Sequence, residues 1–373
     1  MSHKSYWFSY KLFVFALPVL ILLSLSISVE SKGKRSITLM AYNVENLFDA
    51  THDGEDQKDL AFLPMSEKRK WSKDECAAQR GFYNYLCTNL DWTQEKYEFK
   101  LAQIAQVILD YNQSSGADIV MLEELENKRV VKDLWELHLA DHGYLEPIHF
   151  DSPGFRGLDV AIMSKFPVTL ALSHTVDLSD MNKSTRDILE ARFLIDNKYE
   201  LRVAANHWPS LASPQKTRFK AAEVIKKIAK EAEVAGVPFI AMGDFNTLDL
   251  DTPNPIFGNI ADTDPKNNNV PLVDIHRFLK NLLTFPGGTH YYKGKWNHLD
   301  RVLVSKDLFL KESPLQINPF SFKILDRKYL FKEVQENLKG SKKTKIPFRY
   351  DFFNDEGFSD HLPITIKLIV DNS

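Results

Sequence analysis

Residues 237–247 read VPFIAMGDFNT, an apolar run that stops at a glycine and then sets out a carboxylate and an amide. Gly243 allows a tight turn and Asp244 is carried out of the strand. Asn246 follows two residues on, on the same side if the chain stays extended. The arrangement recurs along the chain. Residues 37–48, ITLMAYNVENLF, end in Asn43 and Glu45, and residues 118–127, DIVMLEELEN, end in Glu123 and Glu124. Residues 357–368, GFSDHLPITIKL, set Asp360 and His361 just ahead of an apolar strand. Taken singly, each polar end reads as a solvated strand end or a turn. Recurrence changes that reading, because a strand end is a rigid platform from which side chains can converge on one ligand. Hard oxygen donors beside an imidazole suit magnesium-type chemistry on a phosphate ester better than redox or zinc-thiolate chemistry.

Two further strand ends extend the pattern. His207 lies in ANHWP (205–209), where Pro209 stops the strand and fixes its exit. Asp300 opens LDRVLVS (299–305). A carboxylate bonded to one ring nitrogen orients an imidazole and raises its basicity, leaving the other nitrogen for water or phosphate. Asp300 and His361 are an attractive pair of this kind, although spacing alone does not establish it.

Around these ends the chain alternates strand and helix signals. Strands are expected at 37–44, 118–122, 144–150, 158–164, 168–175, 189–195, 201–206, 237–242, 299–305 and 362–370. Helical spacing covers 97–111, through Leu101, Ile104, Ala105 and Ile108, and again 127–142, ended by Gly143. A third helix runs from Pro214 to Ala235, with Ala222, Ile225, Ile228, Ala229 and Ala232 on one face. Residues 51–95 are polar, irregular and too long for a simple connection, so an insertion on one face is expected there. The order mixes βα alternation with hairpin-like neighbours. It predicts mixed sheets packed together with helices outside, in one domain over 33–373, and no doubly wound parallel sheet. No repeat of twenty to fifty residues is visible.

Composition is that of an ordinary globular protein: 373 residues, 44% hydrophobic and 26% charged. A formal net charge of −3 argues against coating nucleic acid by bulk electrostatics and leaves room for a local basic groove. Residues 1–32 stand apart. Lys4 and Lys11 precede an apolar run over 12–29, followed by small and polar residues, which reads as an export signal. The protein is then secreted or periplasmic. A membrane anchor over 12–29 is the alternative, since about eighteen apolar residues approach the spanning minimum. Cys76 and Cys87 are the only cysteines, and in an exported chain they are expected to staple the surface insertion. The sequence implies no protein partner, and the chain reads as a monomer.

NVENLF, LEELEN, NHWPS, GDFN, LDRVLVS and GFSDHLP occur here in the order found in the endonuclease/exonuclease/phosphatase superfamily. The resemblance runs from Ile37 to Val370 and is greatest to its exported bacterial branch. It implies a four-layer α/β sandwich, αββα, of two mixed sheets face to face with helices outside. It also implies a metal site at Asn43 and Glu124 with Asp360 beside it, taking Mg²⁺, with Mn²⁺ or Ca²⁺ as alternatives. Asp244 and Asn246 resemble the pair that positions the attacking water and the phosphate. His207 looks like the imidazole that serves the phosphoryl oxygen or the leaving group. His361, oriented by Asp300, resembles the second catalytic imidazole. Arg186 is similar to an arginine that contacts substrate phosphate, and Arg156 and Asp159 fall where relatives place a substrate contact. Glu123 stands where relatives commonly have Gln, which adds negative charge near the metal.

Among substrates, nucleic acid is the first expectation. The basic stretch KGSKKTKIPFR (339–349) lies just upstream of SDH and reads as a loop that could track a phosphate backbone. Trp208, Tyr291, Tyr292 and Trp296 could stack on bases, or simply pack. A phospholipid or sphingolipid phosphoesterase is the alternative, weakened because no paired exposed aromatic hairpin is visible. A binding protein that kept the fold and lost catalysis is a third reading, opposed by the intact set of polar strand ends.

Overall fold

The computed structural model describes residues 33–53, 59–70, 76, 78, 81–154, 157–279, 287–335 and 343–372. The export signal expected over 1–32 lies outside these residues. Among them, no helix is long and apolar enough to cross a membrane.

The strands in chain order are β1 (Lys34–Leu47), β2 (Ile119–Leu125), β3 (Ile148–His149), β4 (Asp159–Ser164), β5 (Val168–His174) and β6 (Ile188–Ile195). They continue with β7 (Tyr199–His207), β8 (Phe239–Asp244), β9 (Ala261–Asp262), β10 (Leu272–Asp274), β11 (His290–Tyr292) and β12 (Lys295–Asn297). The last are β13 (Asp300–Ser305), β14 (Leu315–Ile324), β15 (Phe331–Gln335), β16 (Lys343–Pro347) and β17 (Ile364–Asp371). Six form one sheet, ordered β14-β17-β1-β2-β4-β3, and seven form the other, ordered β5-β6-β7-β8-β13-β10-β9. Both are mixed. β1 runs parallel to β2 and antiparallel to β17, and β7 runs parallel to β8 while β8 and β13 are antiparallel.

Strand alternation explains the layers. In the second sheet Val203, Ala205, Ile240, Met242, Val302 and Val304 join the core shared with the first sheet. Their neighbours Ala204, Phe239, Ala241 and Leu303 instead pack against the helix Gln215–Ala235 through Ala221, Ala222, Ile225 and Ile228. On the far side the helix Gln94–Leu109 buries Leu101, Ile104, Ala105 and Ile108 against the first sheet. The expected four layers follow. The inner row of the second sheet, extended one step past its last apolar residue, arrives at His207, Asp244 and Asp300. The site is therefore built from the interlayer row where it reaches solvent.

Several local expectations change. The helix expected over 127–142 is regular only over Lys128–Leu134, then passes through a π turn and a 3₁₀ turn to Gly143 at φ 83°. The strand expected at 144–150 is reduced to Ile148–His149. β14 breaks register between Asn318 and Lys323, which hides its alternation in the sequence. Within the insertion, Leu60, Phe62, Leu63, Leu86 and Trp92 are buried in the main core, with Phe62 stacked on Phe48 at 4.3 Å. This stretch is thus core-forming as well as polar. Cys76 and Cys87 are joined as expected, with Cα atoms 5.5 Å apart. Residues 343–347, expected as part of a basic loop, form β16 of a β15–β16 hairpin.

Candidate active site

Gly243 sets the local geometry. It sits at φ 129°, and a Cβ there would run into the Asn206 carbonyl oxygen and lie 2.7 Å from Glu123 Oε1. Only glycine lets β7 and β8 close in parallel at this point and carry His207 and Asp244 side by side. Asn206 faces the other way, donating to the Ala204 and Met242 carbonyls, and its amide oxygen accepts from the Trp208 indole at 3.0 Å. Trp208 is buried on Phe245, so it is a packing residue and takes no part in stacking on bases.

The first sheet supplies the opposite wall. β2 carries an irregularity between Glu123 and Leu125, with Glu124 at φ 69°. The kink separates two neighbouring carboxylates. Glu123 keeps the inward direction, fully buried behind the site, where both oxygens lack a hydrogen-bond partner. Burial, and after it the Asp300 and Asp244 charges, raise its carboxyl far above the usual range. Glu124 turns into the cleft, where Oε2 accepts from the Asn46 backbone at 3.0 Å and Oε1 lies 3.4 Å from the Asn43 amide. The same Asn43 amide is 3.4 Å from Asp244 Oδ2, so one side chain bridges the two sheets.

His361 Nδ1 meets Asp300 Oδ2 at 2.8 Å, the pairing expected from the sequence. Burial alone would depress this imidazole, but the Asp300 charge and hydrogen bond raise it well above its ordinary value. Its other nitrogen is 4.0 Å from Asp244 Oδ2. Burial pushes Asp244 up to about 7 against the opposing pull of His361. Asn246 holds it, donating its backbone N–H at 2.8 Å and its amide at 2.9 Å. His207 Nε2 stands 3.7 Å from both Asp244 Oδ2 and Glu124 Oε1, and the Arg186 guanidinium donates to it at 3.1 Å. Glu124, Arg186, His207, Asp244, Asn246, Asp360 and His361 line one cavity of about 610 Å³.

One expected substrate contact does not join them. Asp159 is bonded by the Ser152 hydroxyl and backbone and lies 3.4 Å from His149 Nε2, lining a separate acidic hollow with Glu126 and Asp151. The kink at Glu124 pairs Asp159 with Leu125, one step past the site. Arg156 lies outside the described residues.

The cavity also contains His290 and Lys332, which the sequence did not mark, beside Tyr291, Tyr292 and Arg349 from its stacking candidates and basic stretch. His290, on the β11–β12 hairpin, is 4.8 Å ring to ring from His361 and is held near 4 by burial and by the His361 charge. Lys332 and Arg349 line the cavity from the β15–β16 hairpin and just beyond it, and Tyr291 and Tyr292 from the β11–β12 hairpin. Arg349 pairs with buried Glu45 and lies 3.9 Å from Asp360 Oδ2. Glu45 is pushed up to about 8 by burial and then by Asp360, against the pull of Arg349 and Lys100. Trp296 packs on Tyr291 and does not line the cavity.

Glu124 and Asp360 present carboxylate oxygens to the cavity, whereas Asn43 turns its amide N–H toward Glu124 and Asp244 and its oxygen accepts from the Glu45 backbone N–H at 3.1 Å. The two carboxylates fit a hard divalent cation, toward which Asn43 would have to turn its oxygen. A different trio, His290, Asp360 and His361, also has donor atoms within 4.8 Å of one another. The Asp300 charge keeps the His361 ring protonated, and a protonated imidazole cannot ligate, so the oxygen set is the better fit.

Among curated protein sequences, none matches the chain. Solved structures do. An endonuclease/exonuclease/phosphatase family protein from Bacteroides thetaiotaomicron is 15% identical, with TM-score 0.51, 91% of this chain and 99% of that one covered. The human nocturnin catalytic domain with bound sulfate is 14% identical, TM-score 0.51, over 89% and 94%. A mannosyl-6-phosphatase from Bacteroides thetaiotaomicron is 14% identical, TM-score 0.50, over 89% and 99%. At such identities the likeness establishes the fold. The sequence model of the Endonuclease/Exonuclease/phosphatase family matches residues 83–369, most of the length. With that match, the two-sheet sandwich and the cleft at its rim, the chain belongs to the endonuclease/exonuclease/phosphatase family of phosphoric ester hydrolases.

Proposed function

We propose that this chain is an exported, metal-dependent phosphodiesterase that cleaves DNA or RNA by in-line attack of water on phosphorus. The observation that carries the reading is the convergence of an Asp300–His361 pair, a second imidazole at His207, and Asp244 held by Asn246, all against Glu124 in one cavity. A divalent cation at Asn43, Glu124 and Asp360 would neutralise phosphate charge as it builds in the transition state.

The chain's own residues supply the rest. Asp244, held near neutrality by burial, accepts the proton of the attacking water and aims its lone pair. Asn246 keeps that carboxylate in one rotamer through two hydrogen bonds. His361, kept cationic by Asp300, donates a hydrogen bond from Nε2 to the phosphoryl oxygen and gives that proton to the oxygen that departs as the P–O bond opposite the attacking water breaks. His207 Nε2 accepts the Arg186 hydrogen bond, and Arg186 reaches a phosphate oxygen beside it. A polyanionic substrate is supported by the cations Arg186, Lys332 and Arg349 around the cavity mouth. Export is supported by the signal-like composition of residues 1–32 and by the disulfide.

The test is a parallel assay of purified protein on plasmid DNA, RNA, sphingomyelin, a sugar 6-phosphate and bis(p-nitrophenyl) phosphate, with and without Mg²⁺. Nucleic acid is expected to be cut only with the cation. His361→Ala is expected to lose at least about a hundredfold in kcat. Cleavage of lipid or sugar phosphate without nucleic acid would replace the substrate, and wild-type turnover by His361→Ala would overturn the mechanism.

A further inference from the structure

Three large aromatic side chains lie uncovered beside the catalytic cavity, with Phe82 48% exposed, Tyr85 53% and Phe353 38%. Phe82 and Tyr85 are three residues apart on the helix Phe82–Asn89 and so share a face. The Arg349 guanidinium sits 5.7 Å from the Phe82 ring centroid, and Arg349 lines the cavity 3.9 Å from Asp360. Tyr85 lies 5.6 Å ring to ring from Phe353. Arg349 thus links the cavity to Phe82, and Tyr85, on the same helix face, links that face to Phe353.

This row is fixed from behind. Beside this face the helix buries Leu86, and opposite it Cys87, which is in the disulfide. The buried Lys68 ammonium donates to the Leu86 and Leu90 carbonyls at 3.2 and 2.6 Å, closing the helix end. The Tyr83 hydroxyl donates to Asn46 Oδ1 at 2.9 Å, tying the helix to the strand that carries Asn43. Lys96 holds the Phe352 and Phe353 carbonyls, each at 3.1 Å. Rings held in place without a cover lose little entropy when a flat partner is laid on them.

From these contacts we propose that Phe82, Tyr85 and Phe353 form a stacking shelf for the unpaired bases of a single-stranded polynucleotide whose phosphate lies in the catalytic cavity. The inference rests on the nuclease reading and narrows it to substrate form. Charge decides between occupants. Arg349 stands at the shelf and is preceded in the chain by a hairpin carrying Lys332, Lys343 and Lys345, so cations for the phosphates adjoin the rings for the bases. A duplex hides its base faces and gains nothing from such rings.

The experiment compares wild type, Tyr85→Ala, the Phe82→Ala/Tyr85→Ala double variant and Phe82→Trp/Tyr85→Trp, all checked for melting temperature. Binding of a fluorescent 12-residue oligothymidylate is followed by anisotropy in Ca²⁺ at two salt concentrations, and turnover is measured on that oligonucleotide and on bis(p-nitrophenyl) phosphate. The alanine double variant is expected to weaken oligonucleotide binding at least about tenfold, at both salt concentrations, because stacking is not counterion release. The tryptophan variant restores it, and turnover of the small diester stays at the wild-type level throughout. Unchanged oligonucleotide binding by the double variant, with wild type active on the oligonucleotide, overturns the shelf alone. Wild type that hydrolyses the small diester but neither binds nor cuts the oligonucleotide overturns the nuclease reading as well. Loss of binding to phosphatidylserine vesicles in place of oligonucleotide assigns the rings to a lipid surface and also overturns the proposal.

Discussion

Glu45, Asn46, Glu124 and Asn246 all hold positive φ, from 45° to 69°, and all lie at the candidate site. Such conformations cost about 1–3 kcal/mol each in a non-glycine residue and persist only where the surroundings over-determine them. Here the surroundings are the converging hydrogen bonds of Asn43, Asn46 and Asp244. Gly243 is the residue on which this closeness depends, because a side chain there would push apart the β7–β8 pair that sets His207 beside Asp244. Gly243→Ala is expected to cost at least about 2 kcal/mol in urea unfolding and to abolish most turnover, since strain and displacement act on the same two strands. Gly236→Ala is the matched control. Its φ of 65° is also positive, but a Cβ there meets nothing within 4 Å, so only about 1 kcal/mol is expected, with turnover unchanged. Equal effects from the two substitutions would show that β7 and β8 do not depend on close approach at Gly243.

At the scale of elements, strands β6 and β7 are joined by a buried charge cluster as well as by their ladder. Glu190 is 1% exposed and accepts from Arg202 at 2.7 Å and Arg192 at 3.1 Å, with His174 Nε2 at 2.8 Å. Burial by itself would raise this carboxyl, yet the three partners bring it down to about 2. A depressed folded value means that the stabilisation is complete above the ordinary glutamate range near 4.5 and is lost as pH falls from there toward about 2. Glu190→Ala leaves Arg202 buried without its main partner and is expected to cost about 3–5 kcal/mol at neutral pH. The gap to wild type should close as both are acidified, which unfolding midpoints at pH 7, 4 and 3 would show. A constant gap would mean that packing, not charge, joins these strands. In the sequence Glu190 passes for the solvent-facing member of an alternating strand, and only the third layer, the helix Gln215–Ala235, puts it inside. The same limit governs what else was legible. The strands bearing Asn43, His207, Asp244 and Asp300 announced themselves because apolar runs ended abruptly in polar pairs, and the Asp300–His361 pairing followed from chemistry. His290 and Lys332 did not, since they belong to two-stranded hairpins too short to show periodicity, and Arg349 was legible only as the end of a basic stretch and not as the partner of Glu45. The direction of Asp159 was hidden by the kink at Glu124, which moves the register of β4 by one residue without any glycine or proline to mark it.

The whole molecule closes through its ends. β1 lies inside its sheet between β17 and β2, and its first residue, Lys34, pairs with Asp371 of the last strand. Arg35 and Asn372 both reach Asp196 on the turn after β6, so the two sheets are tied where the chain enters and leaves them. Among the described residues, the contacts that hold this seam begin at Lys34. Removing residues 1–32, the proposed export signal, is therefore expected to leave the melting temperature and the turnover of the remaining chain unchanged. A cut ten residues further in has a different outcome. A chain starting at Asn43 keeps every side chain proposed for catalysis but loses Ile37, Leu39, Met40 and Ala41, all at most 1% exposed. At about 1.5–3 kcal/mol for each large side chain, plus the broken ladders on both edges, the loss approaches the whole stability of about 5–15 kcal/mol usual for a domain. That shorter chain should show no cooperative melting and no turnover. Calorimetry of chains beginning at Met1, Gly33 and Asn43 separates the outcomes. A chain from Gly33 that melts well below the full-length protein would mean that residues before β1 contribute to the fold, and that their removal is not neutral.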